Sequence, residues 1–323
     1  MIQLLVIVLQ LFKRFSNYNI MDKVIKIGTR DSQLALWQAT TVQQKLEQLG
    51  YKTELISVKS TGDLVLDKPL YELGITGIFT KTLDVAMLNG TVDIAVHSMK
   101  DVPTALPIGI RQSAVLKRAN VSDILVYKEL GFLKGEGTIA TGSLRRKAQW
   151  LNKYPNHNID DLRGNVNSRL QKLEDSNWNG AIFAKAGLER IEVLPEKYID
   201  LDWMIPAPAQ GAVVVHTMEN NAFCTEAVLK LNHKETSICT AIERSFLRKL
   251  EGGCTAPIGA LATIFNDEIE FKGVLFSLDG KQKIDIEKRI DLSNSNNLGV
   301  QCAQELLDNG GKELMQQLRK ELG

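Results

Sequence analysis

The stretch Val24-Ile25-Lys26-Ile27-Gly28-Thr29-Arg30-Asp31-Ser32 decides the fold of the first part of the chain. Residues 24–27 predict a strand, and the glycine and polar residues after them predict a turn. Residues 33–49 then predict a helix, which Gly50 closes as a C-cap. The apolar residues close to one face of this helix are Leu34, Trp37, Val42, Leu46 and Leu49. This order of strand, turn and helix favours an α/β fold.

The same order is repeated further along the chain. A strand is predicted over residues 54–58, a helix over 79–88 and a strand over 92–96. From Gly137 the pattern starts again, with strands at 138–141, near Ile159 and at 181–184, and helices at 144–151 and 166–173. The alternation predicts α/β sheets with mostly parallel strands. Because Ile27-Gly28-Thr29-Arg30 is similar to Ile139-Ala140-Thr141-Gly142, we expect two similar domains that face each other across a cleft.

The last third of the chain has a different pattern. Pro206-Ala207-Pro208-Ala209-Gln210-Gly211 predicts a hinge, and the strand expected at 212–216 would return to the first domain. Helices are predicted over 238–250 and 298–322, and residues 260–276 alternate as strands do. This part predicts a smaller α+β domain. The predicted division is an N-terminal extension (1–20), domain 1 (21–117 plus 212–230), domain 2 (118–208) and domain 3 (234–323).

The composition of the 323 residues is that of a soluble globular protein, with 44% hydrophobic and 24% charged residues. The formal net charge of +1 argues against bulk attraction to nucleic acid or to an anionic membrane. The cysteines are far apart and form no zinc-binding or disulfide pattern. They are Cys224, Cys239, Cys254 and Cys302. We therefore expect no metal site and a reducing, cytoplasmic environment.

The N-terminal apolar run from Ile2 to Phe12 is too short for a membrane-spanning helix, which needs about twenty residues. Lys13 and Arg14 follow this run, whereas a secretory signal carries its positive charge before the apolar residues. We expect residues 1–20 to be an extension from an upstream start or a loose tail. A short signal anchor is the alternative.

A polar loop, His97-Ser98-Met99-Lys100-Asp101-Val102-Pro103, follows directly on the strand at 92–96. Ligands bind at the carboxyl ends of strands in open α/β sheets, so Lys100 and Asp101 lie at a favoured position. The alternative is an exposed, solvated pair of charges.

Arginines gather in the second repeat at turns and at the starts of helices. They are Arg145, Arg146, Arg163, Arg169 and Arg190, and Arg30 with Ser32 repeats the arrangement in the first domain. A guanidinium at a helix N-terminus is unfavourable unless an anion lies beside it. Its planar fork matches a carboxylate or a phosphate. The set predicts a cleft for a polyanion, whereas any one of these arginines taken alone is better explained by an ordinary surface position.

A second unusual stretch is Leu250-Glu251-Gly252-Gly253-Cys254-Thr255-Ala256-Pro257. Two glycines and a proline around the cysteine disfavour a regular helix or strand. Cys254 is therefore expected on a tight turn that presents its thiol. The alternative is a buried cysteine that packs as a small hydrophobic residue.

Six stretches together resemble the porphobilinogen deaminase family, also called the hydroxymethylbilane synthases. They are Gly28-Thr29-Arg30-Asp31-Ser32-Gln33-Leu34-Ala35-Leu36-Trp37-Gln38, His97-Ser98-Met99-Lys100-Asp101-Val102-Pro103, Ser143-Leu144-Arg145-Arg146, Leu162-Arg163-Gly164-Asn165-Val166, Gln210-Gly211-Ala212 and Leu250-Glu251-Gly252-Gly253-Cys254. They occur in family order from about residue 22 to the C-terminus. The resemblance implies three domains, the first two like periplasmic binding proteins. We expect a monomer, because a self-contained three-domain enzyme with a cleft needs no partner.

The resemblance also implies the chemistry. Cys254 would carry a dipyrromethane cofactor through a thioether and prime the addition of four porphobilinogen molecules, each losing ammonia. Water would then release hydroxymethylbilane, an intermediate of tetrapyrrole and haem biosynthesis. Asp101 would stabilise the cationic azafulvene that loss of ammonia creates. Lys100 would keep Asp101 ionised or bind a substrate carboxylate.

The resemblance implies a set of residues for each ligand. Those for the cofactor are Cys254, Asp101, Lys100, Ser143, Arg145, Arg146, Arg163 and Gly164. Those for the substrate are Arg30, Ser32, Gln38, Arg169, Arg190 and Gln210.

Two positions depart from the family pattern. Thr76, in Gly74-Ile75-Thr76-Gly77-Ile78-Phe79, stands where the family has a lysine. Asn120-Val121-Ser122-Asp123 lacks the arginine usual before the aspartate. We expect the first change to affect an electrostatic contact or the mobility of that loop. We expect the second to weaken a hinge or a salt bridge between domains.

Two other functions fit parts of the sequence. Paired α/β domains with an arginine-lined cleft suit a polyanion-binding protein without catalysis, which predicts an export signal and gives Cys254 no role. An acyltransferase would use Cys254 as nucleophile with His97 or His216 as base, although nothing in the spacing brings either histidine to the thiol.

Overall fold

A computed structural model of the chain describes residues 23–59, 80–250 and 256–322. The predictions for residues 1–20, for the loop around Thr76 and for Cys254 lie outside the described residues.

The elements alternate between strands and helices over most of the described chain. The strands are β1 (Val24–Thr29), β2 (Lys52–Ser57), β3 (Ile94–Ser98), β4 (Ile110–Val115), β5 (Asp123–Tyr127), β6 (Thr138–Ala140), β7 (Asn158–Asp160), β8 (Gly180–Ala184), β9 (Tyr198–Asp200), β10 (Val213–Met218), β11 (Ile258–Phe265), β12 (Glu268–Phe276) and β13 (Lys283–Asp291). The helices are α1 (Gln33–Gln48), α2 (Lys81–Leu88), α3 (Leu144–Lys153), α4 (Val166–Asp175), α5 (Lys185–Arg190), α6 (Ala222–Leu229), α7 (Lys234–Lys249), α8 (Leu298–Leu306) and α9 (Lys312–Leu322).

Two five-stranded sheets have the same topology. The first has the order β2-β1-β3-β10-β4 and the second the order β7-β6-β8-β5-β9. In each sheet the first three strands in this order run parallel to one another. The fourth strand is antiparallel to both of its neighbours. That fourth strand is the one by which the chain enters from the other sheet. The two similar α/β domains predicted from the repeated openings are therefore present.

The central strands of both sheets carry continuous buried runs. β3, β5 and β8 are buried except at the last residue, and so is β10. Such runs are typical of strands that are covered on both faces. β10 lies between β3 and β4, so the strand predicted after the hinge does return to the first sheet.

The helix α1 begins and ends as predicted, but part of its buried face differs. The Ser32 hydroxyl accepts a hydrogen bond from Ala35 N (3.4 Å), and Gly50 has a φ of 87°, which only glycine adopts readily. Val42 and Leu46 are buried, whereas Trp37 and Leu49 are 38% and 41% exposed, so the predicted face is wrong at these two residues. The small side chains of Ala35 and Ala39 occupy the sheet-facing stripe instead.

The smaller C-terminal domain has an antiparallel sheet of three strands in the order β11-β12-β13. Phe246 of α7 and Phe271 of β12 meet edge to face in its core, with ring centroids 5.1 Å apart. The prediction of a single helix over residues 298–322 is wrong. The chain forms two helices, α8 and α9, separated at Asn309 and Gly310, because Gly310 has a φ of 98°, outside the helical region.

A buried ion pair joins the third domain to the segments that connect the two sheets. Glu243 of α7 is fully buried and accepts two hydrogen bonds from Arg118, at 2.6 and 2.9 Å. The same carboxylate accepts from the backbone N–H groups of Ala209 (2.6 Å) and Ala262 (2.8 Å). Arg118 follows β4 and Ala209 precedes β10, so Glu243 links both connections to β11.

We expect Glu243→Ala to lower the free energy of unfolding by about 3–5 kcal/mol, because it leaves the largely buried Arg118 guanidinium without its carboxylate partner. Urea denaturation followed by circular dichroism measures the change. Glu287→Ala is the matched control, since Glu287 is exposed and pairs with Lys272 across the third sheet. The control should cost less than about 1 kcal/mol. Equal losses in the two variants would contradict a central role for Glu243.

Candidate active site

The loop that carries Lys100 and Asp101 is a single 3₁₀ turn, Met99–Asp101, at the carboxyl end of β3. Met99 is buried beneath it. The side chain of Gln38, itself buried, donates a hydrogen bond from Nε2 to the Ser98 hydroxyl (2.8 Å). The loop is thus fixed to α1 on its amino-terminal side.

Arg244 of α7 holds the other side of this loop. Its Nη1 donates to the carbonyls of Met99 (3.1 Å) and Val102 (3.0 Å), and its Nη2 donates to the carbonyl of Pro103 (2.6 Å). Arg248, one turn later, donates to the carbonyl of Thr104. Sequence reasoning missed Arg244, because an arginine within a regular helix gives no signal of what it contacts.

A buried carboxylate, Asp123, is the first residue of β5 and contacts the first turn of α3. It accepts from Arg145 Nη1 (2.7 Å) and from Arg146 Nε and Nη2 (3.0 and 2.8 Å). Burial alone would raise the pKa of Asp123, but the two guanidinium groups hold it well below its usual value. The anion expected beside Arg145 and Arg146 is therefore the protein's own Asp123 carboxylate.

Arg145 and Arg146 are held in different ways. Arg146 also donates from Nη1 to the carbonyl of Ile182 (2.9 Å), so each of its three nitrogen atoms has an acceptor within the chain. Arg145 donates from Nη1 to the carbonyl of Ile205 (2.9 Å), while its buried Nε has no hydrogen-bond partner among the described residues. Arg145 thus retains one unused buried donor.

Gln210 connects the two sides of the site. Its Oε1 accepts from Lys100 Nζ (3.3 Å), and its Nε2 donates to Asp123 (2.9 Å) and to the carbonyl of Val121 (2.8 Å). Gly211 follows with a φ of 81°, and a Cβ there would lie 2.7 Å from the carbonyl oxygen of Asn120. A glycine is needed because the two connections between the sheets pass so close to each other.

The charges of the site act on one another. Burial lowers the pKa of Lys100 to about 8, while Asp101 raises it and Arg146 lowers it further. Burial also lowers the pKa of Arg169 to about 10, with Arg146 acting in the same direction and Asp101 opposing it. Lys100, Asp101 and Arg169 therefore share one electrostatic environment with Arg146.

The turn before α4 completes this side of the site. Gly164 has a φ of 114°, and its carbonyl accepts from Arg169 Nε (2.7 Å). Arg163 is 6% exposed, and burial lowers the pKa of its guanidinium against the effect of Asp161. Ser143 lies in extended backbone just before α3, where its N–H donates to the Thr141 hydroxyl (3.3 Å).

Three of the predicted residues have contacts away from Lys100 and Asp101. Arg190 donates from Nη2 to the carbonyl of Gly211 (2.7 Å) and lies over the Trp37 ring, 5.2 Å from its centroid. Ser32 caps α1. Arg30 follows β1, the parallel neighbour of β3, and its charge lowers the pKa of His97 near the carboxyl end of β3.

The two histidines considered as bases for an acyltransferase lie beside each other. His97 and His216 are buried in the first sheet, on β3 and β10, with ring centroids 5.0 Å apart. Cys224, Cys239 and Cys302 are free and buried. Burial raises the pKa of each of these three thiols to about 11, so they are poor nucleophiles.

Comparison with known families gives two matches. The family model described as "Porphobilinogen deaminase, dipyromethane cofactor binding domain" matches residues 25–226, and that for the porphobilinogen deaminase C-terminal domain matches residues 237–308. The chain belongs to the porphobilinogen deaminase family.

Curated relatives align with this chain over nearly its whole length. The porphobilinogen deaminase of Pelotomaculum thermopropionicum is 40% identical over 308 residues, covering 93% of this chain and 99% of the relative. That of Desulfitobacterium hafniense is 41% identical over 307 residues, covering 92% and 98%.

Solved structures similar in shape include periplasmic binding domains. The VFT2 domain of Bordetella pertussis BvgS aligns with a TM-score of 0.41 at 13% identity, over 64% of this chain and 86% of that one. A probable amino-acid ABC transporter binding protein of Bacillus subtilis aligns with the same TM-score and identity, over 65% and 90%.

The described part of the porphobilinogen deaminase chain contains no helix that is both long and apolar enough to cross a membrane.

The donor set fits the cofactor that the family model names. Arg145 Nε and Arg190 Nε are both buried without a hydrogen-bond partner among the described residues. Arg163 and Arg169 add two further guanidinium groups, which match carboxylates in geometry and charge. A dipyrromethane carries several carboxylates and suits such a lining.

We expect Arg244→Met to lower kcat of this porphobilinogen deaminase about tenfold with little change in KM, since the turn bearing Asp101 loses its anchor. Arg244→Lys should recover part of the rate. Steady-state kinetics measures both, and Lys249→Met, on an exposed position of the same helix, is the control. A fall in thermal stability without a change in kcat would contradict this positioning role.

Proposed function

We propose that the chain polymerises four porphobilinogen molecules head to tail on a dipyrromethane primer held by Cys254, and releases hydroxymethylbilane. The observation that supports this function best is the placement of Lys100 and Asp101 opposite the buried arginines, joined by Gln210. Asp101 beside cationic groups suits a substrate that carries carboxylates and develops positive charge on its pyrrole as ammonia leaves.

Asp101 is the proposed catalytic carboxylate. Porphobilinogen loses ammonia from its aminomethyl group, and the remaining pyrrole carries a positive charge shared with its N–H. A carboxylate beside that N–H stabilises the charge as it develops, and more strongly in a buried site than in water. The fixed turn at the end of β3 supplies the carboxylate without reorganisation.

Lys100 is proposed to keep Asp101 ionised and to bind a substrate carboxylate. Its ammonium group interacts favourably with both Asp101 and Asp123. Gln210 is proposed to orient Lys100 through the contact to its Nζ, and Gln38 to orient the turn through Ser98. These two glutamines, predicted as substrate contacts, are better supported as positioning residues.

The cofactor, when bound, supplies a pyrrole carbon to which the first substrate is joined. We assign to it Ser143, Arg145, Arg163 and Gly164 together with Lys100 and Asp101. Arg146 is assigned a positioning role, because all its nitrogen atoms already have acceptors. It holds Asp123, which in turn holds Arg145. Cys254 lies four residues beyond Leu250, the last described residue at the end of α7.

Substrate carboxylates are assigned to Arg169, Arg30 and Arg190, with Ser32 as a further hydrogen-bonding group. Arg169 is supported best, through its electrostatic interaction with Asp101. We also propose a monomer that acts in the cytoplasm, with the domain limits predicted from the sequence, because the three domains build the site within one chain.

We expect Asp101→Asn to reduce turnover at least a hundredfold, since the charge that stabilises the cationic substrate is lost. The denatured variant should still carry the mass of two linked pyrrole units, which Cys254→Ala should lack. Asp202→Asn, at an exposed position, is the control. Near-normal turnover in Asp101→Asn would overturn the assigned role, and bare polypeptide mass after incubation of wild type with porphobilinogen would overturn the cofactor assignment.

The pH dependence provides a separate check on Lys100. Because its pKa is lowered to about 8, Lys100 is cationic below that pH and neutral above it. We expect kcat/KM to fall as pH rises through about 8, and Lys100→Arg to move this fall to higher pH since a guanidinium stays charged. The pH–rate profiles of the two proteins, measured side by side, decide the point. An alkaline limb in the same place in both would exclude Lys100 as its origin.

A further inference from the structure

Three metal-ligating side chains from distant parts of the chain converge in the first domain. They are Asp84 on α2, His97 on β3 and His216 on β10, and one ligating atom from each lies within 4.8 Å of the other two. They are only 7%, 5% and 1% exposed. β3 and β10 are neighbouring strands, and α2 packs on the same sheet, so the convergence follows from the fold.

Several buried polar atoms of this cluster have no hydrogen-bond partner among the described residues, although Asp84 also has a side-chain hydrogen bond with Thr80. Asp84 Oδ1, His97 Nε2 and both ring nitrogens of His216 are buried without a hydrogen-bond partner among the described residues. Buried polar groups in native proteins are almost always satisfied. Unpartnered atoms on three converging side chains indicate that a further group satisfies at least one atom of each.

We propose that Asp84, His97 and His216 bind one divalent transition-metal ion, with Zn²⁺ the best match. Two imidazoles and one carboxylate form a donor set that zinc uses widely, with a fourth position open to water. The hard cations Mg²⁺ and Ca²⁺ prefer oxygen ligands and are disfavoured here.

The state of the imidazoles agrees with ligation. Burial, with the charges of His216 and Arg30, holds the pKa of His97 well below its usual value, and burial with Arg244 lowers that of His216 to about 4. Both rings are therefore neutral near pH 7, which is the form that binds a metal. The same arginine charges oppose a cation, so we expect weaker binding than at a structural zinc site with four protein ligands.

The site lies beneath the proposed catalytic turn. His97 is three residues before Lys100, and Asp84 belongs to the helix that follows residues 60–79. A bound ion would fix α2 to β3 and β10. The expected effect is a higher thermal midpoint in the presence of the ion, with no role for it in the transfer reaction.

Binding is tested on the purified full-length protein with Co²⁺ and Zn²⁺ alone as probes. We expect the wild type, stripped with a chelator, to take up one equivalent of Co²⁺ and to develop visible d–d absorption. His216→Gln should lose this absorption. His233→Asn should keep it, since His233 caps α7 away from the cluster and asparagine preserves a cap.

X-ray absorption of the Zn²⁺-loaded wild type decides the case without a variant. Two imidazole nitrogens and a carboxylate oxygen at about 2.0–2.2 Å support the site. Sulfur in the first shell, no stoichiometric uptake, or unchanged Co²⁺ absorption in His216→Gln would overturn it.

Discussion

The carboxylate of Asp123 is the group on which the arrangement of the active site depends. It is fully buried and accepts hydrogen bonds from Arg145, Arg146 and Gln210. Burying an unpaired carboxylate or guanidinium costs free energy. The ion pairs and hydrogen bonds among these groups offset that cost. Gln210 then extends the network to Lys100 on the other domain. The positions of a strand end, a helix start and a connecting segment are thus determined together.

Two adjacent residues of α7 join the third domain to this network. Glu243 binds both connections between the sheets, and Arg244 binds the carbonyls around the turn of Lys100 and Asp101. They point to different partners although they are neighbours, because successive residues on a helix are separated by about 100°. The helix that leads toward Cys254 is therefore part of the framework that holds the proposed catalytic turn.

Local patterns predicted the parts of the fold that depend on local signals. Strand, turn and helix around Gly28 and around Gly142 were confirmed, and so was the strand that returns after Gly211. β13 was missed because its residues are mostly charged and only one is fully buried. The break at Gly310 was missed because the apolar spacing continues on both sides of it.

Contacts within the site that join distant parts of the chain were also not predicted. The motifs named Lys100, Asp101 and the arginines, but not that Asp123 pairs with Arg145 and Arg146, since this contact joins a strand to a helix more than twenty residues away. Asp84, His97 and His216 have a spacing that matches no ligand motif, and only the sheet order brings them together.

The two connections between the sheets run side by side and are bonded to each other. Ala119 N donates to the carbonyl of Gly211 (3.1 Å), and Gly211 packs directly on the backbone of residues 119 and 120. A single linker leaves two domains free to rotate about any axis, but two linkers bonded in parallel resist twisting and permit bending about one line. This pairing favours bending of the two domains about one axis over rotation between them. A product that lengthens by one ring at a time would be accommodated by a single widening movement of the cleft rather than by a reorientation of the domains.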